Sequence, residues 1–219
     1  MRERTMERAD DEASAKRKRK VASDVEMRGA MRRSAMEILT TDGYAKLRID
    51  DVARSAGIPV RTALRLAPTA LDLFRVIVQD RMDAFLSRIA MSVNGRDPLS
   101  TLEKILVDCA QFFFDENVIA LNRIVISEGY AHPEVAEVFY AEGVERVPVT
   151  LAAWLTLQRD LGAIDVVDCG VAARMLVGMV KSDIYSVALI GRDLPSEAEV
   201  TSRARLGARW FLNGCAVRA

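Results

Sequence analysis

Residues 32–74 read RRSAMEILTTDGYAKLRIDDVARSAGIPVRTALRLAPTALDLF, and the spacing of apolar residues in and around this stretch decides the fold. Met31, Ala35, Ile38 and Leu39 fall at i, i+4, i+7 and i+8. That is one face of a helix, which should stop near Asp42-Gly43, where glycine accepts the left-handed backbone of a helix end. Ile49, Val52, Ala53 and Ala56 repeat at i, i+3, i+4 and i+7 before Gly57 and predict a second, short helix. Beyond Gly57-Ile58-Pro59, the residues Val60, Ala63, Leu64 and Ala67 keep the helical period up to Pro68. A residue preceding proline is pushed out of the helical region, so a third short helix should end there, with Val60, Ala63 and Ala67 buried.

Two short helices joined by a tight glycine-containing turn, with a helix on either side, describe a helix-turn-helix unit, whose second helix enters the major groove of DNA. Here that helix would turn Arg61, Thr62 and Arg65 outward. Arginine pairs bidentately with guanine or neutralises a phosphate, and a threonine hydroxyl serves either. The residues alone equally allow three solvated side chains on an ordinary helix.

Outward from this stretch the helical period continues. Leu73, Phe74, Ile77, Val78, Met82, Phe85 and Ile89 predict a longer helix from Thr69 to about Val93. Further helices are expected over about 99–115, 117–129, 133–160, 166–190 and 196–214, punctuated by Asp115-Glu116-Asn117, His132-Pro133, Gly162, Gly191 and Pro195. With no alternating strand pattern bounded by hairpin turns, the expected class is all-α.

The composition agrees with a globular chain: of 219 residues, 50% are hydrophobic and 28% charged. The longest uncharged stretch, Val147 to Gln158, has 12 residues, too few for a bilayer span. Residues 1–24 carry many charges and no helical repeat, and are expected to form a flexible basic arm. Its run Lys16, Arg17, Lys18, Arg19 and Lys20 is followed by no apolar segment, so export is not expected and the protein is placed in the cytoplasm. The net charge of zero hides 17 basic against 13 acidic residues in the first 80 positions and 14 against 18 in the rest. That asymmetry suits a small part facing a polyanion. Cys109, Cys169 and Cys215 are odd in number and widely spaced, as expected of reduced thiols rather than a disulfide framework or a metal site.

With these elements in place, residues 32–74 resemble the DNA-binding domain of the TetR-type (tetracycline-repressor-like) bacterial transcriptional regulators. The resemblance lies in Gly43-Tyr44 after the first helix, Ile49 and Asp51-Val52-Ala53 in the second, and Ala56-Gly57-Ile58 at the turn. It continues with Thr62 in the third helix and with Pro68, Leu71, Leu73 and Phe74 opening the fourth. It implies a DNA-binding domain over residues 25–85, with the helix-turn-helix at 48–67, and a larger helical effector-binding and dimerisation domain over 86–219. The implied function is a ligand-responsive repressor that binds a palindromic operator in double-stranded DNA as a homodimer, with a small-molecule effector, no cofactor, no membrane and no catalysis.

The sequence departs from the family pattern at several contact positions. Pro59 stands where a capping Ser or Thr is usual, Val60 and Arg61 where Lys and Gly are frequent, Leu64 and Leu66 where Tyr and His occur, Ala67 for Phe and Ala70 for Lys. Arg48, Arg61 and Arg65 are the natural substitutes for the missing phosphate contacts, and the arm run adds five positive charges that either track DNA or merely solubilise a tail. A helical small-molecule-binding or adaptor protein with a degenerate DNA-reading helix is the competing function, prompted by Leu64, Leu66 and Ala70.

For the second domain, the resemblance implies a dimer through the last two long helices, for which Ala172, Leu176, Val180, Leu206 and Trp210 are the candidates, intramolecular core being the alternative. An effector pocket needs an apolar lining with a few convergent polar groups. Phe112, Phe113, Tyr140, Trp154, Met175 and Met179 are candidate lining, and Arg123, Glu128 and Asp183 candidate polar handles, plain core being again the alternative. The single histidine, His132, precedes Pro133 and is read as a helix-start residue. No metalloprotease, phosphate-loop or nucleophile-elbow motif is present.

Overall fold

The computed structural model describes residues 24–92 and 97–215, and the basic run of the expected arm lies outside the described residues. Every regular element among them is helical. Two compact units divide the chain between Val76 and Ile77.

In the first unit, α1 (residues 24–42) buries Met31, Ala35 and Leu39 and ends at Gly43, whose φ of 82° turns the chain into the short 3-10 helix Tyr44–Lys46. The Tyr44 ring is buried edge-on to Phe74, with centroids 6.0 Å apart. Helix α2 (Ile49–Ser55) carries Asp50 and Asp51 in its first turn, where carboxylates oppose the positive end of the helix dipole. The buried Ser34 hydroxyl donates to the Val52 carbonyl and ties α1 to it. At the end of α2, Gly57 takes φ 66° and the Ile58 N–H returns to the Ala53 carbonyl at 3.0 Å, the closed helix end that glycine permits. Helix α3 (Val60–Leu66) follows at once from Pro59, with Ala63 and Ala67 fully buried. Helix α4 (Ala70–Ser92) runs across the division at residue 76 into the second unit.

One expectation for α3 is corrected. Val60 is 40% exposed, not buried. It is the first residue of α3, at the open end of the helix, and Ala63 and Ala67 are small enough for the helix to seat on them alone.

The second unit comprises α4 from Ile77, α5 (Pro98–Phe113), α6 (Glu116–Glu128), α7 (Pro133–Phe139), α8 (Arg146–Asp160), α9 (Cys169–Leu189) and α10 (Glu197–Gly214). Asp97, Asp115, Asp168 and Ser196 accept backbone N–H groups at the starts of α5, α6, α9 and α10, and each supplies the partner a first turn lacks. Phe85, Leu102, Ile105, Leu106, Leu155 and Leu176 are among the core side chains removed from solvent. Helix α10 lies against α5 and α9, and Arg209 bridges to Glu103 at 2.8 Å.

Two of the expected helices are interrupted. The span 133–160 is not one helix: between α7 and α8 the chain makes a π-turn over Tyr140–Val144. The turn carries Gly143 against α4, where a Cβ would lie 3.3 Å from the Val78 Cγ1, and Pro148 in the first turn of α8 has no N–H to give to a continuous ladder. Helix α9 is broken inside by Ser182 at φ 43°, ψ −156°, a backbone conformation that L-residues rarely hold.

Candidate DNA-reading helices and effector cavity

The α2–turn–α3 pair places the reading-helix residues as follows. Arg61 is exposed and Thr62 half-buried. Arg65 is exposed but engaged: its two terminal nitrogens donate to the Asp24 carboxylate of α1 at 2.7 and 3.2 Å. Hydrogen bonding and the charge of Asp24 raise the guanidinium pKa above its ordinary value. Such exposed pairs are weak, so a phosphate can replace the carboxylate. Arg48 stands at the start of α2, its Nε 4.0 Å from Asp51, which also accepts from Arg54 at 3.0 Å. Val60 and Leu64 are exposed one turn apart on α3, a pair of apolar contacts beside the arginines.

In the second unit, residues of α4 to α9 and of the π-turn line a partly open cavity of about 230 Å³. Its walls are apolar, formed by residues such as Val78, Met82, Phe112, Phe113, Val147 and Val177. Five polar or charged groups reach it: Arg81, Asn122, Arg174, Lys181 and Tyr185. Arg81 donates through Nη2 to Asp115, while its Nε is buried with no hydrogen-bond partner among the described residues. Arg174 holds Glu145 with two bonds, at 2.6 and 3.0 Å. The hydrogen bonds from Arg174, and then the one from the Tyr140 hydroxyl, keep the Glu145 carboxyl below the usual carboxylate range. The Lys181 ammonium lies over two rings, 4.5 Å from the Phe113 centroid and 4.6 Å from that of Tyr185. Burial lowers the pKa of Lys181 and pushes the Tyr185 phenol up to about 12.

Of the residues expected at an effector pocket, Phe112 and Phe113 line the cavity and the other seven do not. Trp154 is core, its Nε1 buried without a hydrogen-bond partner among the described residues. Arg123 is turned to the end of α9, donating to the carbonyls of Ala188 and Leu189. Tyr140 is exposed, with its hydroxyl donating to Glu145 at 2.9 Å. Glu128 closes α6 away from the cavity, and Asp183 is exposed beside Arg203.

Helix α9 explains the rest by its phase. Ala172, Leu176 and Val180 form one face and are buried within this chain's own core, which corrects their expected place at a partner's surface. Arg174, Val177, Lys181 and Tyr185 form a second face toward the cavity. Val171, Met175 and Met179 form the third, exposed face, so the two methionines point away from the cavity. Leu206 and Trp210, the latter 63% exposed, continue that apolar surface on α10. At Gly207 of α10 an added Cβ would touch the Met179 side chain at 3.8 Å, so the two helices run close there. Sequence reasoning passed over Arg81, Arg174 and Lys181. The available signal was a pair of cations seven residues apart in a stretch, 169–181, that holds no other charged residue.

Residues 100–214 match the AefR-like transcriptional repressor C-terminal domain, one of the TetR C-terminal families. The chain belongs to the TetR family of regulators. It is a DNA-binding, ligand-responsive transcriptional regulator with an all-helical fold. No curated protein matches its sequence. Solved structures share the TetR-family fold. A protein described as a TetR-family transcriptional regulator from Mesorhizobium loti MAFF303099 is 20% identical, with a TM-score of 0.77 over 89% of this chain and 98% of that one. A TetR regulator from Agrobacterium tumefaciens is 16% identical, with a TM-score of 0.71 over 88% and 95%. The flavonoid-responsive regulator FrrA is 22% identical, with a TM-score of 0.67 over 88% and 98%. Among the described residues, no helix is long and apolar enough to cross a membrane.

Proposed function

We propose that this regulator is a cytoplasmic, non-enzymatic repressor that binds a palindromic operator as a homodimer and is released when a small molecule enters the cavity of its second unit. The observation that carries the DNA side is α3, a seven-residue helix seated on Ala63 and Ala67 with Arg61 and Arg65 left outward. In this reading Arg48, Arg61, Thr62 and Arg65 contact phosphates and base edges, and Val60 and Leu64 lie against thymine methyl groups. The departures from the family pattern then mark an altered base preference rather than decay. The basic run Lys16 to Lys20 adds phosphate contacts.

The exposed surface of α9 and α10, with Val171, Met175, Met179, Leu206 and Trp210, supports pairing with a second copy. A two-fold dimer reads half-sites about 34 to 36 Å apart, and an effector releases it only by binding one spacing of the two reading helices better than the other. The length of α4 supports such coupling, because the helix that follows α3 also brings Val78, Arg81 and Met82 to the cavity wall.

Duplexes selected from a random pool by the purified protein test the proposal. The expected outcome is a palindromic consensus, affinity that falls steeply with salt, and a sedimenting dimer that Trp210→Asp converts to a monomer with weakened operator binding. A selected pool with no consensus, together with salt-independent binding, overturns the DNA assignment. A monomer that binds the consensus with full affinity overturns the dimer.

A further inference from the structure

Charge around the cavity does not cancel. Three cations, Arg81, Arg174 and Lys181, reach the wall, and among the described residues no aspartate or glutamate does. Asp115 neutralises Arg81 and Glu145 neutralises Arg174, each from outside the lining. Lys181 is left with ring faces alone. Among the described residues, neither a carboxylate nor a hydrogen bond engages its ammonium. A partly buried cation whose nearest neighbours are apolar is costly unless a counter-charge arrives.

We propose that the cavity takes an organic monoanion with an apolar body of about one ring or a short chain, and that its anionic end is held by Lys181. The inference rests on the cavity being the effector site and adds the chemical class of the effector. One uncompensated positive charge selects one negative charge. The size follows from the volume: a cavity of about 150 Å³ holds benzene, so about 230 Å³ holds a ring with a short side chain. The apolar wall selects against inorganic ions, which would surrender their hydration for a single contact. Phe113 and Tyr185 hold the ammonium at the wall, and the lowered pKa of Lys181 is in keeping with a cation lacking its counter-charge.

The test uses the full chain and two matched pairs of probes, 3-phenylpropionate with 3-phenylpropionamide and octanoate with octanamide, titrated by calorimetry. At least one acid should bind the wild type about 10- to 100-fold more tightly than its own amide, the range of a charge-assisted contact. Lys181→Met should bring that ratio close to one and Lys181→Arg should restore it. Acid and amide binding the wild type equally would overturn the inference while leaving a neutral effector in the same cavity, a comparison that needs no variant. An acid preference that survives Lys181→Met would overturn the role of Lys181. Binding of none of the four probes would overturn the inference together with the effector reading. Acid-selective binding that leaves operator affinity unchanged would support the ligand class and remove the effector role.

Discussion

The two units handle positive charge in opposite ways. In the first, Arg48, Arg61 and Arg65 stand in solvent on helices seated on small residues such as Ala53, Ala63 and Ala67. In the second, Arg81, Arg174 and Lys181 face a cavity walled by phenylalanine, valine and methionine. Exposed charge acts at long range and is screened by salt within about 8 Å at physiological ionic strength, which suits a search along a polyanion. Partly buried charge is screened far less and tolerates no wrong partner, which suits selection of one small molecule. A DNA-reading surface can therefore lose several family side chains and keep working through substitutes, whereas the cavity depends on each group being matched.

The largest expected effect is on the exposed side. Arg61→Ala combined with Arg65→Ala should weaken operator binding by roughly 100-fold and, where both arginines meet phosphates, lower the magnitude of the salt slope by about 2. Fluorescence polarisation over a salt series measures both. Affinity and slope both unchanged would mean that the arginines are bystanders and that another surface meets the DNA, whereas a loss of affinity at unchanged slope would assign them to base edges.

On the cavity side, Gly143→Val should lower the melting temperature by several degrees and abolish effector release. The glycine's own Cβ position is already 3.3 Å from Val78, and overpacking of this kind costs about 1–3 kcal/mol. Thermal unfolding read by circular dichroism, alongside a release titration, checks it. Full stability with normal release would show that the π-turn has slack, and that the cavity wall is looser than the close approach of Gly143 to Val78 implies.

What could be read from sequence follows the same division. Helix ends marked by Gly43, Gly57 and Pro68 are local chemistry, and α2 and α3 lie where their spacing puts them. The cavity is a tertiary object. Met175 and Met179 have pocket-like composition but the wrong phase, and Lys181 has the right phase but is not a residue type that marks an apolar pocket. Nothing within α9 alone tells which of its three faces meets core, cavity or solvent; packing against α5, α6, α8 and α10 decides that. The interruption at Tyr140–Val144 was equally hidden, because Gly143 is explained only by the approach of Val78 from a helix more than 60 residues earlier.

Ser182→Gly is a smaller perturbation in the second unit. Glycine holds φ 43° without a Cβ penalty, and relief of about 1–3 kcal/mol of strain outweighs the roughly 0.5–1 kcal/mol that glycine loses inside a helix. The melting temperature should rise by about 2–4 °C, with Ser182→Ala giving no such gain. Equal effects of the two variants would mean that the break in α9 is unstrained.

The smallest effect concerns Arg65, an exposed arginine of α3 that already has a partner. Asp24 occupies the Arg65 guanidinium with two hydrogen bonds, and its carboxylate would sit close to any phosphate that Arg65 contacted. Asp24→Asn removes both the competition and the like-charge repulsion, so operator affinity should rise by about two- to fivefold, mainly through the association rate. Unlike the double arginine replacement, it should leave protein folding and the base consensus untouched. Because the gain is electrostatic it should shrink as salt is raised, and stopped-flow association at two ionic strengths reads it directly. A loss of affinity instead would show that Asp24 orients Arg65 for the groove. The salt bridge would then be a positioning device, and the exposed unit would depend on matched charge much as the cavity does.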